Sequence, residues 1–106
     1  MEFKIIYSTE SLNDLLQIYD YIANIEKEPI NALKLVDTIR NAINKLDIFP
    51  LRHSFVSFSP WKEIGIRYLC IKNHIVFYFV NEKDNIVNII RILSSRQDIK
   101  NIINKL

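Results

Sequence analysis

The sequence predicts an α+β fold: an N-terminal strand, a helical hairpin packed on a mainly antiparallel sheet with a three-stranded meander, and a short C-terminal helix. Three observations predict it. Two apolar stripes with three- and four-residue steps occupy residues 12 to 46. Three β-branched and aromatic runs, "IRYLCI", "IVFYFV" and "IVNIIRIL", then follow one another across short polar breaks. Finally, 106 residues offer room for one core. With 49% hydrophobic and 25% charged residues, one Gly and three Pro, the chain has a globular composition and no linker or low-complexity tract, so residues 1–106 are expected to form a single domain.

The elements follow in order. "EFKIIYS" is short, β-branched and aromatic, and Ser8 behind it is a candidate N-cap with Glu10 placed to suit the helix dipole. Leu12, Leu15, Leu16, Tyr19, Ile22 and Ala23 then form the apolar stripe of a first helix, which puts Asn13, Asp14, Gln17 and Asp20 on an acidic outer face. "NIEKEP" breaks the pattern, and Pro29 suits the first turn of a second helix with the stripe Ala32, Val36, Ile39, Ile43 and Leu46. So short a break predicts an antiparallel hairpin. Residues 50–65, with Phe55, Phe58, Trp61 and the only glycine, read as a loop pinned to the body by aromatics. After the meander, Ser95 and Asp98 have capping-box spacing, and Ile99, Ile102, Ile103 and Leu106 continue at helical intervals.

If Asn73-His74 and Asp84-Asn85 are two-residue turns, Leu69 pairs with Tyr78, Tyr78 with Arg91, Arg67 with Val80, and Val80 with Ile89. One face then carries Arg67, Leu69, Ile71, Val76, Tyr78, Val80, Ile89, Arg91 and Leu93. The other carries Ile66, Tyr68, Cys70, Ile75, Phe77, Phe79, Ile90 and Ile92; as the greasier, it is expected to receive the helical hairpin. Arg67, Tyr78 and Arg91 would share an open groove on the opposite face.

This order of elements, with "LNDLLQIYDYIA", "IRYLCIKNHIVFYFVNE" and "VNIIRILSSRQDI" in their places, resembles the RelE/ParE superfamily of bacterial toxins over nearly the whole chain. The resemblance implies a type II toxin that inhibits growth, takes part in plasmid stabilisation and is neutralised by a cognate acidic, partly disordered antitoxin. It also implies one of two targets. Toxins similar to RelE cut messenger RNA on the ribosome, whereas those similar to ParE block DNA gyrase.

RNA cleavage through the 2'-hydroxyl needs a proton acceptor, a proton donor and cations for the charged transition state. Arg67, Arg91 and Arg96 are the candidate cations, with His74 and Tyr78 the candidate proton-transfer groups. Against the nuclease, Ile75 stands where that branch commonly has an Arg, and the tail "DIKNIINKL" has no Tyr or His. The favoured expectation is therefore a gyrase inhibitor, with Arg67, Tyr78, Arg91 and Arg96 contacting antitoxin or target. An mRNA endoribonuclease and an inactive antitoxin-binding module are the alternatives.

Each candidate also has a plainer structural reading. Arg67 and Arg91 can pair with carboxylates or backbone carbonyls, His74 can be a solvated turn residue, Tyr78 a packed aromatic, Trp61 a core anchor, and Arg96 a solvated residue of the first turn of the last helix. Cys70, alone and in an apolar run, is expected to be a buried thiol with no disulfide. His53 has no second ligand at a metal-binding spacing, and Gly65 alone cannot make a phosphate loop, so neither metal nor cofactor is expected. The net charge of +2 permits nucleic-acid contact without requiring it. The N-terminal apolar run of three residues is too short for a signal peptide, and nothing approaches the ~18 apolar residues of a membrane span, which predicts a cytoplasmic protein with no membrane partner.

Overall fold

The computed structural model describes residues 2–104, and Leu106 of the expected final stripe lies outside them. Strand β1 (Lys4–Tyr7) runs into helix α1 (Thr9–Asp20), whose last turn widens into a π-turn over Tyr21–Ile25. Ser8 is the N-cap, its hydroxyl oxygen accepting from the Ser11 N–H at 3.0 Å. Helix α2 (Pro29–Asn44) opens with Pro29 in its first turn, where the missing N–H costs nothing. A short helix α3 (Trp61–Ile64) precedes β2 (Arg67–Ile71), β3 (His74–Asn81), β4 (Ile86–Ser94) and α4 (Ile99–Asn104).

The sheet order is β1-β4-β3-β2, with the expected antiparallel meander and β1 added parallel to β4, Lys4 opposite Ile86. The expected register is off by two residues. Ile71 pairs with His74, so the first turn is Lys72-Asn73, and Asn81 pairs with Ile86, so the second connection has four residues rather than two. Lys72 (φ 52°) and Asn85 (φ 56°) supply the left-handed conformations that these reversals need. A slip of two keeps the alternation of faces, so Arg67 lies opposite Tyr78 instead of Val80 but on the same side.

β4 departs from simple alternation. Tyr78 pairs with Ile89 and Phe77 with Arg91, which leaves Ile90 as the extra residue of a β-bulge. Val87 and Ile89 therefore join the core beneath the helices before the bulge and Ile92 joins it after, so Arg91, opposite Phe77, and Leu93 leave the face they were expected to share with Arg67 and Tyr78.

The helical hairpin covers the face opposite to the one expected. Leu15, Ile39, Ile43 and Leu46 pack with Ile71, Val76, Tyr78, Val80, Val87 and Ile89. The more aromatic face finds another cover: Val56, Trp61 and Ile66 from the 50–66 segment and Ile103 from α4 pack on Phe77 and Leu93. Trp61 is thus a core anchor, edge-to-face with Phe77 at 5.0 Å.

Three local expectations also change. Asp14 is buried at 7% exposure, while Leu12 and Leu16 are exposed, because the inward stripe of α1 is rotated towards Ser11, Asp14 and Leu15. Cys70 is exposed, since β2 is an edge strand and its outward-facing end is uncovered there. The last helix starts at Ile99 behind Asp98, whose carbonyl accepts from Ile102 and whose carboxylate accepts from Asn101, so Ser95 and Arg96 belong to the preceding turn.

Candidate functional site

Arg91 is a charge inside an apolar strand, and such a group must find a partner. Its partner is Asp14. The Arg91 Nε and Nη2 donate to the two carboxylate oxygens at 2.8 and 2.9 Å, and the Ile92 N–H donates to the same carboxylate at 2.9 Å. This follows from the chain path. β1 pairs with β4 only as far as Tyr7 opposite Ile89, and the Ser8 hydroxyl then donates to the Ile90 carbonyl at 2.8 Å. Beyond that point α1 replaces β1 alongside β4, and its one buried carboxylate satisfies the edge N–H and the guanidinium together. The hydrogen bond and charge of Asp14 hold Arg91 still more firmly protonated than usual.

Beside this pair lies a groove of about 530 Å³, bounded by the π-turn of α1 (Tyr21, Ile22) on one side and by the start of β3 and the end of β4 on the other. His74, Arg91 and Arg96 all line it. His74 is not a turn residue in water. It opens β3 opposite Ser94, is half-buried, and has an Nδ1 with no partner among the described residues. Burial lowers its pKa below 6.5, so at pH 7 the imidazole is neutral. Arg96 is exposed, and its side chain makes no hydrogen bond or ion pair among the described residues. Glu26 lines the same groove from the end of the π-turn.

Arg67 and Tyr78 are elsewhere. Cross-strand neighbours, they hold the segment that follows α2: Arg67 Nη1 donates to the Leu51 and His53 carbonyls at 3.0 and 2.6 Å, and the buried Tyr78 hydroxyl donates to the Pro50 carbonyl at 2.7 Å. Burial pushes the Tyr78 phenol up to about 12. Arg67 also stacks on Phe55 at 3.9 Å. His53 sits edge-on to Tyr78 at 6.4 Å, its pKa lowered by burial and by Arg52 and Arg67.

The five candidates thus divide, with His74, Arg91 and Arg96 in the groove and Arg67 and Tyr78 at the loop. Asp14, which organises the groove, is expected from periodicity on the outer face of α1 and is instead buried. The available signal was the arginine itself, since a buried cation demands an acid and a helical stripe rotated by one residue delivers Asp14. Among the described residues no group of His, Cys, Asp and Glu is arranged to hold a metal ion, and no helix is long and apolar enough to cross a membrane.

Over residues 5–99 the chain matches the family model described as ParE toxin of type II toxin-antitoxin system, parDE. Its fold is similar to a chain of the chromosomal ParDE TA system from P. aeruginosa, with 23% identity, 88% of this chain and 96% of that chain covered, and a TM-score of 0.69. It is also similar to a chain of the toxin-antitoxin complex RelBE2 from Mycobacterium tuberculosis, with 15% identity, coverage of 89% and 99%, and a TM-score of 0.63. No curated protein matches by sequence.

Proposed function

The chain belongs to the ParE toxin family of type II toxin-antitoxin systems, and from that premise we propose that it arrests growth in the cytoplasm by binding and inhibiting DNA gyrase. Residues 1–106 act as one toxin domain, without cofactor, metal or membrane partner. A cognate acidic antitoxin that folds on binding neutralises it, and the groove beside Arg91 and Arg96 suits such a chain, offering an apolar wall, a free guanidinium and polar edges.

The observation that carries the choice of gyrase is the engagement of Arg91. Its guanidinium is already neutralised by a bidentate carboxylate, so it is poorly placed to stabilise the charge of a cleaving phosphodiester. Tyr78 is no acid-base group either, being buried and bound to a carbonyl. A nuclease on this groove would have to run on His74, Arg96 and the exposed Glu26. That set is the support for the alternative, a ribosome-dependent mRNA endoribonuclease, because a neutral imidazole beside a free cation is a serviceable base.

Two assays with the purified chain separate the readings. Gyrase supercoiling is expected to fall in proportion to added protein, with messenger RNA on programmed ribosomes left intact. Codon-positioned cleavage that disappears in His74→Ala, with supercoiling unaffected, would make the nuclease reading correct. A folded chain that leaves bacterial growth unchanged when induced alone would identify an inactive antitoxin-binding module.

A further inference from the structure

Phe49 is misplaced by every criterion of folding. Its side chain is 77% exposed, so it contributes almost nothing to the core. Its backbone lies in the left-handed region (φ 53°, ψ 53°), where Cβ crowds the following carbonyl and where Gly or Asn is the comfortable residue. Among the described residues, the others with positive φ are Lys27, Lys72, Asn85 and Gly65, none of which carries a large apolar side chain. Phe49 alone is a large apolar side chain held in a conformation that disfavours it.

The segment around it is rigidly held. Arg52 Nη1 donates to the carbonyls of Ile48 and Phe49 at 2.6 and 3.1 Å, and its Nη2 reaches the Lys45 carbonyl at 3.4 Å. Tyr78 and Arg67 take the carbonyls of Pro50, Leu51 and His53. Three side chains therefore fix the backbone, while Ile48, Phe49, Leu51 and Phe55 remain at 41% exposure or more. Strain maintained by its surroundings, and apolar side chains presented on an ordered loop, are features of recognition sites.

We propose that residues 48–55 are the docking element for the toxin's protein target, with Phe49 entering an apolar pocket ringed by carboxylates. Shape selects a folded partner: a projecting aromatic needs a preformed cavity, whereas a disordered antitoxin that folds on binding lies in a groove. Charge selects an acidic rim. Arg52 and Arg67 give their donors to backbone carbonyls but keep their full positive charge, and with Lys45 they outweigh Asp47. Nucleic acid is the poorer fit, because aliphatic Ile48 and Leu51 flank Phe49 and the guanidiniums of Arg52 and Arg67 already donate to backbone carbonyls instead of standing free for phosphate. The inference rests on the chain acting by binding a target protein, and is independent of that target being gyrase.

The test is Phe49→Asn in the full chain, with Phe49→Leu as the conservative control. Asn suits the left-handed backbone, so thermal unfolding is expected at or above the wild-type Tm. Growth arrest on induction should be lost, and half-inhibition of supercoiling by purified gyrase should need at least tenfold more protein, while antitoxin affinity by calorimetry stays unchanged; Leu should restore part of the arrest. Arrest at wild-type strength in Phe49→Asn overturns the proposal. So does a loss of antitoxin affinity, a change in oligomeric state or a change in messenger RNA cleavage, which would assign the surface to the antitoxin, a second copy or RNA. A wild-type chain that arrests growth but ignores gyrase ends the gyrase reading alone. One that does not arrest growth ends both.

Discussion

The loop end and the groove end of the sheet each hold a strand arginine, and the two are satisfied by different chemistry. Arg67 donates to neutral carbonyls of residues 51 and 53 and lies against a ring, so its charge survives and its donors stiffen a neighbouring segment. Arg91 meets a carboxylate, so its charge is cancelled and what it gains is a tie between α1 and β4. Cations with equal formal charge therefore leave different electrostatic marks: a positive rim at the loop, and a groove where Arg91 is neutralised and the uncommitted guanidinium is Arg96. Counting arginines near a site says little until their partners are known.

The largest effect is expected at Asp14. Asp14→Ala would leave a guanidinium at 16% exposure and the Ile92 N–H without partners. Removing one member of a buried pair costs about 3 kcal/mol or more, a large part of a small domain's stability. Urea unfolding should show it as a lowered midpoint with little change in slope. Adding Arg91→Met should recover more than half of the loss, because the stranded charge goes with it. A cost below about 1 kcal/mol would mean that groove water serves Arg91 as well as Asp14 does, and the two ends would no longer differ in kind.

Asp14 also shows where sequence reasoning reached and where it stopped. Element order, the Ser8 cap, Pro29 in the first turn of α2 and the antiparallel meander were legible because each depends on local periodicity or capping chemistry. The pairing of β1 with β4 was not, since a parallel neighbour arises from a crossover with no local signature. The greasier surface does not go to the largest element, because Trp61 and α4 supply a second cover that no periodicity announces. The bulge at Ile90 changes the parity of β4 halfway along, and strict alternation cannot anticipate it. The candidate site residues came out divided between two places. Arg91 is separated from Arg67 and Tyr78 by the bulge, which sets it opposite Phe77, and by its tie to Asp14, and both are tertiary facts.

A smaller effect tests the loop end. Tyr78→Phe removes the donor to the Pro50 carbonyl while keeping the ring in the core, and a buried carbonyl left unsatisfied costs about 1–2 kcal/mol. The same hydroxyl sets an alkaline limit. Its folded pKa of about 12 lies above the 10.0 of an ordinary tyrosine, so the folded state holds the proton longer than the unfolded chain. The stabilisation is fully present below pH 10 and is lost as pH rises towards 12. The phenylalanine variant should start lower and lose less stability across that interval. Parallel alkaline curves would show that the phenol escapes to water and does not anchor the loop.

The smallest effect belongs to His74 and sharpens the groove end. Its imidazole is half-buried at the start of β3, with Nδ1 unpartnered among the described residues, and burial lowers its folded pKa below 6.5. The unfolded chain therefore takes up a proton first as the solution is acidified. Stability contributed by the neutral ring is present above about pH 6.5 and is lost as pH falls through the lower folded value. Asp14 and Glu26 line the same groove and favour the cation, while Arg91 and Arg96 oppose it. His53 has a pKa shifted in the same direction, so wild type alone cannot isolate the effect. Comparing His74→Gln with wild type between pH 5 and pH 7 can, since Gln removes one titration and leaves His53 in place. The variant should show a shallower acid slope, and NMR titration of the His74 ring should give a midpoint below that of an exposed histidine. A midpoint at or above 6.5 would place a net negative field in the groove, and the uncommitted charge there would be the carboxylate of Glu26 rather than the guanidinium of Arg96.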